Sequence, residues 1–284
     1  MKSGTVNKNR KNKIISIILI ATFFTGLSLL LYPVVSNYWN SLHQSRAIAS
    51  YVDAVTELNG NLYEDLWKEA QAYNISLSED PDRLLPDEEE QRSYNKLLNI
   101  TESGIIGYIE IPAINVILPV YHGTDEEVLQ IAIGHIEGSS LPVGGKGTHC
   151  VISGHRGLPS SRLFTDLDQL VEGDLFMLRV LDETLTYEVD QIRIVDPEDI
   201  SLLEIEEGKD LCTLITCTPY GVNSHRLLVR GHRVENQEAI RTLRITSDAM
   251  LIDHRLVVPF IAVPILLSLL LMVLLQVQRR KDKR

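Results

Sequence analysis

The sequence predicts a mainly β domain that is preceded by a helical segment and lies between two transmembrane helices. Residues 14–35 and 256–277 are uncharged runs of 22 residues each in a chain of 284. Between them, from residue 101 onward, short stretches rich in Val, Ile, Leu and Tyr are separated by turn-forming Gly, Pro and Asp. The long apolar runs are typical of membrane spans, and many short strands are typical of a β-sandwich or barrel.

Each uncharged run is long enough to cross a bilayer. At about 1.5 Å per residue such a run forms a helix of roughly 33 Å, against a hydrocarbon core of about 30 Å. Lys and Arg are concentrated on the outer side of both runs, in residues 1–13 and 278–284. Because cytoplasmic ends carry this excess, we predict two cytoplasmic tails and an extracytoplasmic segment of residues 36–255.

Both runs have an alternative interpretation. The first resembles a cleaved secretory signal peptide, but its apolar part exceeds the usual length of about 7–15 residues, and no small-residue cleavage site follows it. The second is also apolar enough for a buried core helix, although its length and its basic tail favour a membrane span. Pro259 and Pro264 in this run are compatible with a transmembrane helix.

The exported segment is acidic. The chain ends hold ten of the 27 Lys and Arg and one of the 38 Asp and Glu, which leaves residues 36–255 with 17 basic and 37 acidic residues and a net charge of −20. This charge argues against nucleic acid or an anionic lipid surface as a partner. The chain has three cysteines and neither a C-x-x-C nor an H-E-x-x-H pattern, so the sequence indicates no zinc site.

The exported segment divides by its periodicity. Apolar residues at helical spacing predict helices within residues 36–100, interrupted by a polar loop at 76–90 that contains Asp80-Pro81, and a further short helix that begins near Glu88. Residues 101–236 form the β domain, and residues 237–255 a stalk before the second span. The strands are expected at residues 104–112, 116–120, 149–153, 175–181, 185–195, 211–216 and 227–234.

Cys217 is the first candidate for chemistry. It ends a buried-looking strand, and Pro219 and Gly221 follow it, so the thiol faces a loop at a fixed position. A hairpin would return Arg226 alongside it, where a permanent cation can stabilise a developing oxyanion. For the general acid/base we favour His155, which also follows a β run, over His225. By spacing alone, an inert structural thiol at Cys217 remains the alternative.

These residues stand in motifs that resemble the sortase family. Thr213-Leu-Ile-Thr-Cys217 with Arg226 downstream is similar to the sortase signature, and Ser153-Gly-His155-Arg-Gly-Leu158 is similar to its histidine segment. The stretch from Cys217 to Gly231 and Leu163-Phe-Thr-Asp-Leu167 resemble class C, the pilus-assembling sortases, as does a second, C-terminal span.

The resemblance implies a closed eight-stranded sortase-type β-barrel and a cysteine transpeptidase. Such an enzyme cleaves an LPxTG-like sorting signal between Thr and Gly through a thioacyl intermediate at Cys217. It then joins the signal to a lysine amine of a pilin. His155 would act as acid and base and Arg226 as the oxyanion or substrate ligand, with no metal or other cofactor. The expected partners are surface or pilin proteins with such signals, at the membrane of a Gram-positive cell.

The class also carries a lid, an Asp-Pro-aromatic loop over the cysteine. Here Asp80 and Pro81 are followed by Asp82 instead of an aromatic residue. The sequence therefore predicts a lid held mainly by an ion pair between Asp80 and Arg226.

Two alternative functions and one redox question remain open at this point. A housekeeping sortase would use another amine, from peptidoglycan, and a non-catalytic membrane adaptor would bind sorting signals without cleaving them. Cys150 and Cys212 each precede a site residue by five positions, and neighbouring parallel strands would bring them close. We expect two buried free thiols instead of a disulfide.

Overall fold

The computed structural model describes residues 3–78, 80–236, 263–268 and 270–272. The chain divides into two units, Met1–Tyr38 with Met250–Arg284, and Trp39–Ala249. The predicted stalk at 237–255 and the basic tail at 278–284 lie outside the described residues. Of the second predicted span only 263–268 and 270–272 are described, and both are helical.

Apart from the helical residues 263–268 and 270–272, the described residues contain four α-helices: α1 (Ser3–Glu57), α2 (Gly60–Leu77), α3 (Glu88–Tyr94) and α4 (Glu126–Leu129). Among the described helices, α1 alone is long and apolar enough to cross a membrane, with a mean hydropathy of 2.5 in its most apolar window. An N-terminal signal sequence would meet the same criterion.

The helix boundaries are set by caps. Asn59 accepts a hydrogen bond from the Leu62 amide, at 2.8 Å, and this cap starts a new helix where apolar periodicity alone shows no break. Asp87 forms a capping box with Glu90 at the start of α3, and the short helix expected near Glu88 is confirmed.

The β domain is a closed barrel of eight strands, as the sequence resemblance implies. The strands are β1 (Ile105–Ile111), β2 (Val116–His122), β3 (Ile133–His135), β4 (Thr148–Ser153), β5 (Leu175–Val180), β6 (Glu183–Val195), β7 (Asp210–Thr218) and β8 (His225–Val234). Their order around the barrel is β1-β2-β3-β4-β7-β8-β6-β5. Strands β2 and β3 are parallel, as are β4 and β7. Sequence patterning missed β3, because three residues are too few to show an alternation.

Buried hydrogen bonds attach the helices to this barrel. The Tyr51 hydroxyl donates to the Ile106 carbonyl and accepts from the Leu181 amide, at 3.1 and 2.8 Å. The Asn74 side chain on α2 bonds both the carbonyl and the amide of Leu141. The helical segment is therefore fixed to the barrel wall by polar side chains as well as by apolar contacts.

Alternation along β7 defines the two faces of the barrel wall. Cys212 and Leu214 point into the main core, whereas Ile215 packs with Val151 and Leu228 in a separate small cluster. Because side chains alternate along a strand, Cys217 lies on the same outer face as Ile215.

Candidate active site

Cys217 lies one residue before the end of β7, which is hydrogen-bonded on both sides. It pairs with β4 in parallel and with β8 in antiparallel orientation. The thiol is free and half-buried. A strand with two neighbours gives its terminal side chain a well-defined position, which suits a nucleophile that must meet a bound carbonyl.

Arg226 lies directly opposite Cys217 in the β7–β8 ladder. Directly opposed residues of an antiparallel pair share a face, with Cβ atoms about 4.5–5.5 Å apart. The Arg226 guanidinium donates to the carbonyls of Asn223 and His225, at 3.3 and 3.2 Å. Within the described part of the chain no carboxylate lies in ion-pair range of it, so its charge is not neutralised by an acidic side chain.

His155 is placed by the parallel register of β4 and β7. Ser153 is the partner of Ile215, and the Gly154 amide donates to the Ile215 carbonyl at 3.0 Å. His155 follows the end of β4 by two residues, at the same end of the barrel at which β7 reaches Cys217. Its Nε2 atom is buried and has no hydrogen-bond partner among the described residues, so this nitrogen has no structural role that would compete with proton transfer.

Glycine at position 154 lets the chain turn closely past a buried ring. A Cβ atom there would lie 2.7 Å from both Phe164 and Ile133. Phe164 in turn donates its amide to the His155 carbonyl, at 3.2 Å. The segment that resembles a class C motif therefore supports the backbone of the candidate histidine.

His225, the competing candidate, is already engaged elsewhere. Its Nδ1 atom lies 2.8 Å from the Ser224 hydroxyl, and its Nε2 atom lies 3.5 Å from an Asp196 carboxylate oxygen. It is also one position along β8 from Arg226, on the alternate side of the strand. His225 therefore lies off the face of Cys217 and Arg226, and His155 stays the preferred candidate for the general acid/base.

Arg156 is a member of this neighbourhood that the sequence analysis quoted within a motif without a role. Its side chain is 9% exposed, and Nη2 lies 2.5 Å from an Asp168 carboxylate oxygen. Nη1 donates to the Thr218 hydroxyl at 3.2 Å, one residue past Cys217. In the sequence, Arg156 stands out only as a cation next to the candidate histidine. Its partner Asp168 is twelve residues away, so the pair could not be recognised from the sequence.

The predicted ion pair between Asp80 and Arg226 is wrong for this structure. Asp80 instead accepts a hydrogen bond from the Asp82 amide at 2.9 Å and shares a surface pocket with Arg83 and Glu204. The buried Arg83 guanidinium donates to the carbonyls of Gly138 and Leu203, at 2.8 and 2.9 Å. This anchor determines the position of the Asp80-Pro81-Asp82 turn.

The anchored turn lies far along the barrel from Cys217. The Glu204 carbonyl near Arg83 accepts from Nδ1 of His149, and the register partner of His149 is Leu211, six residues before Cys217 on β7. At about 3.3 Å per residue this separation is roughly 20 Å. The charge argument failed because a second arginine, three residues after Asp80, holds the turn at the other end of β4.

Apolar side chains are exposed around the open end of the site. Val222 and Tyr220 in the β7–β8 turn are 69% and 53% exposed. Val195 at the end of β6 pairs with Arg226. The site therefore combines a cation and a thiol with nearby apolar surface.

The other two cysteines are neighbours, as predicted. Cys150 and Cys212 are partners in the parallel register, and both are buried and free. Burial raises the pKa of the Cys212 thiol, which keeps it protonated and unreactive. The described residues contain no group of three His, Cys, Asp or Glu side chains arranged to hold a metal ion.

Comparison with known proteins agrees with this geometry. The sortase domain model matches residues 109–234. Sortase C1 of Streptococcus agalactiae is 54% identical, and the match covers 67% of this chain and 99% of that one with a TM-score of 0.65. Sortase C of Clostridium perfringens, solved with the C-terminal cell wall sorting motif, is 43% identical over 67% of this chain and 99% of that one, with a TM-score of 0.60.

Among curated relatives, sortase D of Bacillus subtilis is 34% identical over 131 residues. That match covers 45% of this chain and 63% of the relative, so the chain spans less than two thirds of the relative's length. The match to sortase C1, in contrast, covers nearly all of a solved structure at more than half identity. The chain therefore belongs to the sortase family, and the solved structures that it resembles are class C sortases.

Proposed function

We propose that this protein is a membrane-anchored cysteine transpeptidase that cleaves an LPxTG-like sorting signal between Thr and Gly and joins it to a pilin lysine amine. One observation carries the proposal: β8 sets Arg226 opposite Cys217, at the end of the barrel where β4, parallel to β7, leads into His155. A nucleophile, a cation and a proton carrier are the three groups that this acyl transfer requires.

The first half-reaction forms a thioester. His155 takes the thiol proton as the Cys217 sulfur attacks the threonine carbonyl carbon, and the resulting oxyanion accepts hydrogen bonds from the Arg226 guanidinium. His155 then donates that proton to the departing glycine amine as the C–N bond breaks. Because Arg226 has no carboxylate partner in the described residues, its donors remain available to the substrate.

The second half-reaction uses an amine. The lysine enters as the free amine, its ammonium proton lost to solvent, and attacks the thioester carbon while His155 takes the proton that the attacking nitrogen loses. The Cys217 sulfur leaves and recovers that proton from His155, and an isopeptide bond remains. The absence of another hydrogen bond to Nε2 of His155 in the described chain supports this alternation between acid and base.

Substrate recognition is proposed from the surface and from one relative. The exposed Val222 and Tyr220 offer apolar contacts to the Leu and Pro of a sorting signal. The sortase C of Clostridium perfringens was solved with a C-terminal cell wall sorting motif. The pilin acceptor follows from the resemblance of the 217–231 and 163–167 segments to class C.

We further propose two spans, at 14–35 and 256–277, with both termini cytoplasmic and the barrel outside. The single long apolar helix found in the described residues supports the first span, and the flanking Lys and Arg support the orientation. Protease added to intact, wall-stripped cells should remove a tag placed at the barrel but spare tags at both termini. Loss of the C-terminal tag would contradict the second span.

The decisive experiment is identification of the thioacyl intermediate and its product. Purified protein is incubated with a sorting-signal peptide and then with either a lysine-bearing pilin fragment or a peptidoglycan-derived amine, and masses are recorded. We expect a peptide thioester on Cys217 and a product with the pilin lysine. Preference for the peptidoglycan amine would favour a housekeeping sortase, and binding without a thioester would favour a non-catalytic adaptor.

Matched variants test the assigned roles. Cys217→Ala should abolish the thioester, and His155→Ala and Arg226→Ala should each reduce its formation by about 10²–10³-fold. The control for His155→Ala is His225→Ala, and the control for Arg226→Ala is Arg179→Ala on β5. A loss in the His225 control equal to that in His155→Ala would contradict the assignment of the general acid.

A further inference from the structure

The backbone ladder between β4 and β7 stops before it reaches the two reacting side chains. In its last backbone hydrogen bond the Gly154 amide donates to the Ile215 carbonyl. The Thr216 hydroxyl adds a side-chain hydrogen bond to the Gly154 carbonyl, at 2.8 Å. His155 and Cys217 both lie beyond that point. Some other contact must hold the two chain segments at a constant separation.

Arg156 supplies the next contact between these segments. It follows His155 directly, and its Nη1 donates to the hydroxyl of Thr218, which follows Cys217 directly. Its guanidinium carbon also lies 6.0 Å from the centre of the Tyr220 ring. One side chain thereby connects the histidine segment to the two sides of the turn after the nucleophile.

Close packing reinforces the same contact. Gly157 has a φ of +81°, and a Cβ atom on it would lie 3.0–3.4 Å from three atoms of the Tyr220 ring. The Gly157 amide donates to the Thr165 hydroxyl, at 3.1 Å. The ring of Tyr220 therefore lies against the backbone that follows His155, with the guanidinium beside it.

Asp168 keeps the guanidinium in this position. It lies on a short turn between β4 and β5, and its carboxylate is 45% exposed while the arginine side chain is 9% exposed. The fork of an arginine can bond two partners at once, here Asp168 and Thr218. A lysine, with a single nitrogen, cannot reproduce both contacts in the same plane.

Stability alone would not favour a buried arginine at position 156. The Nε atom of Arg156 is buried and has no hydrogen-bond partner among the described residues. A buried, unsatisfied donor lowers stability. An uncharged side chain of similar shape would avoid that cost, but it would lose the contact to Thr218.

We propose that Arg156, held by Asp168, is a positioning residue that sets the distance between His155 and Cys217 during acyl transfer. This inference rests on the proposed function, because it concerns the efficiency of that reaction. Arg156 would not touch the sorting signal, so its removal should lower kcat and leave KM nearly unchanged. A misplacement of about 1 Å at a reacting pair costs up to about 100-fold in rate.

The test compares steady-state cleavage of a sorting-signal peptide by the wild type, Arg156→Ala, Arg156→Lys and Asp168→Asn, with thermal unfolding measured on each. We expect kcat to fall about 10- to 100-fold in Arg156→Ala, with KM changed less than about twofold. Arg156→Lys should recover little of this loss, and Asp168→Asn should show an intermediate loss. Arg156→Ala combined with Asp168→Ala should be no slower than Arg156→Ala alone, because the pair acts as a unit.

The control is Arg179→Ala, which removes a half-exposed arginine that pairs with Glu110 between β5 and β1; its kcat should equal that of wild type. Full kcat in Arg156→Ala, full recovery in Arg156→Lys, or a loss confined to KM would each overturn the proposal. A fall in the amount of thioacyl enzyme with an unchanged rate per active site would also overturn it, since that indicates unfolding. A wild type that forms no thioester would instead refute the proposed function.

Discussion

Replacement of Arg83 by Ala should release the turn at residues 80–87 without changing access to Cys217. The Arg83 guanidinium is buried and donates to two backbone carbonyls, those of Gly138 and Leu203. Hydrogen bonds that involve a charged group contribute about 1.5–3 kcal/mol each. Burial opposes the charge and lowers the pKa of Arg83, so part of that gain is offset.

The net contribution of these contacts to closing the turn is about 2–3 kcal/mol after this offset. Since about 1.4 kcal/mol corresponds to a factor of ten, the open population should rise about 30- to 150-fold in Arg83→Ala. Hydrogen–deuterium exchange in peptides that cover residues 80–87 measures this directly. Asp80→Ala removes one exposed hydrogen bond to the Asp82 amide and should raise exchange less than about fivefold.

Alkylation of Cys217 by iodoacetamide supplies the second readout. Because the turn is anchored roughly 20 Å from Cys217 along β7, both variants should react at the wild-type rate, at low and at high salt. Faster alkylation in Asp80→Ala would refute this reasoning and restore a lid held by Asp80. Unchanged exchange in Arg83→Ala would show that the guanidinium is not the anchor.

Three further predictions concern the barrel. Gly138→Ala should lower the free energy of unfolding more than Gly147→Ala, although both glycines have φ of +78°, because at Gly138 the new Cβ would lie 1.8 Å from the Arg83 carbonyl oxygen. The left-handed backbone alone should make Gly147→Ala destabilising by about 1–2 kcal/mol. Equal losses of stability in urea unfolding would contradict this. Burial lowers the pKa of His149, so below the unfolded pKa of about 6.5 the unfolded state binds more protons than the folded state. Stability should therefore decrease as the pH decreases, by up to about 1.4 kcal/mol per pH unit. His149→Gln should flatten the profile of stability against pH from about pH 7 to 5, and an unchanged slope would refute the role of His149. Denatured, unreduced protein should titrate three thiols, whereas one thiol would indicate a bridge between Cys150 and Cys212.

Most of the strands and the pairing of Cys217 with Arg226 were predictable because both depend on chain order and on alternation along the strands. Cys217 ends a run of apolar residues and Arg226 starts the next one. A hairpin therefore places them together, whatever the conformation of the loop between them. The parallel neighbour that carries His155 was not derivable from alternation. It came from the resemblance of the motifs to sortases, and the register of β4 with β7 agrees with it.

What the sequence did not predict depends on contacts between distant residues. The acidic loop suggested an ion pair between Asp80 and the candidate site residue Arg226. Instead, Arg83 anchors this loop by donating to carbonyls in the segments after β3 and after β6. Backbone carbonyls have no sequence signature, so such an anchor cannot be read from residue types. The Asn59 cap and the three-residue β3 were missed for a related reason, since single side chains and short bridges carry no periodicity.

Two arginines that were left without roles in the sequence, Arg83 and Arg156, connect distant parts of the chain, whereas the hydrogen bonds of Arg226 are to its own turn. Arg83 has two carbonyl partners, and Arg156 has a carboxylate and a hydroxyl. Arg226 donates at 3.3 and 3.2 Å to two carbonyls of its own turn and has no acidic partner among the described residues. A buried or half-buried cation is stabilised by its partners, so the arginine with the weakest internal contacts has the most to gain from a developing oxyanion. Neutralisation of Arg226 should therefore slow the reaction with little effect on stability, whereas Arg83→Ala should lower stability with little effect on rate.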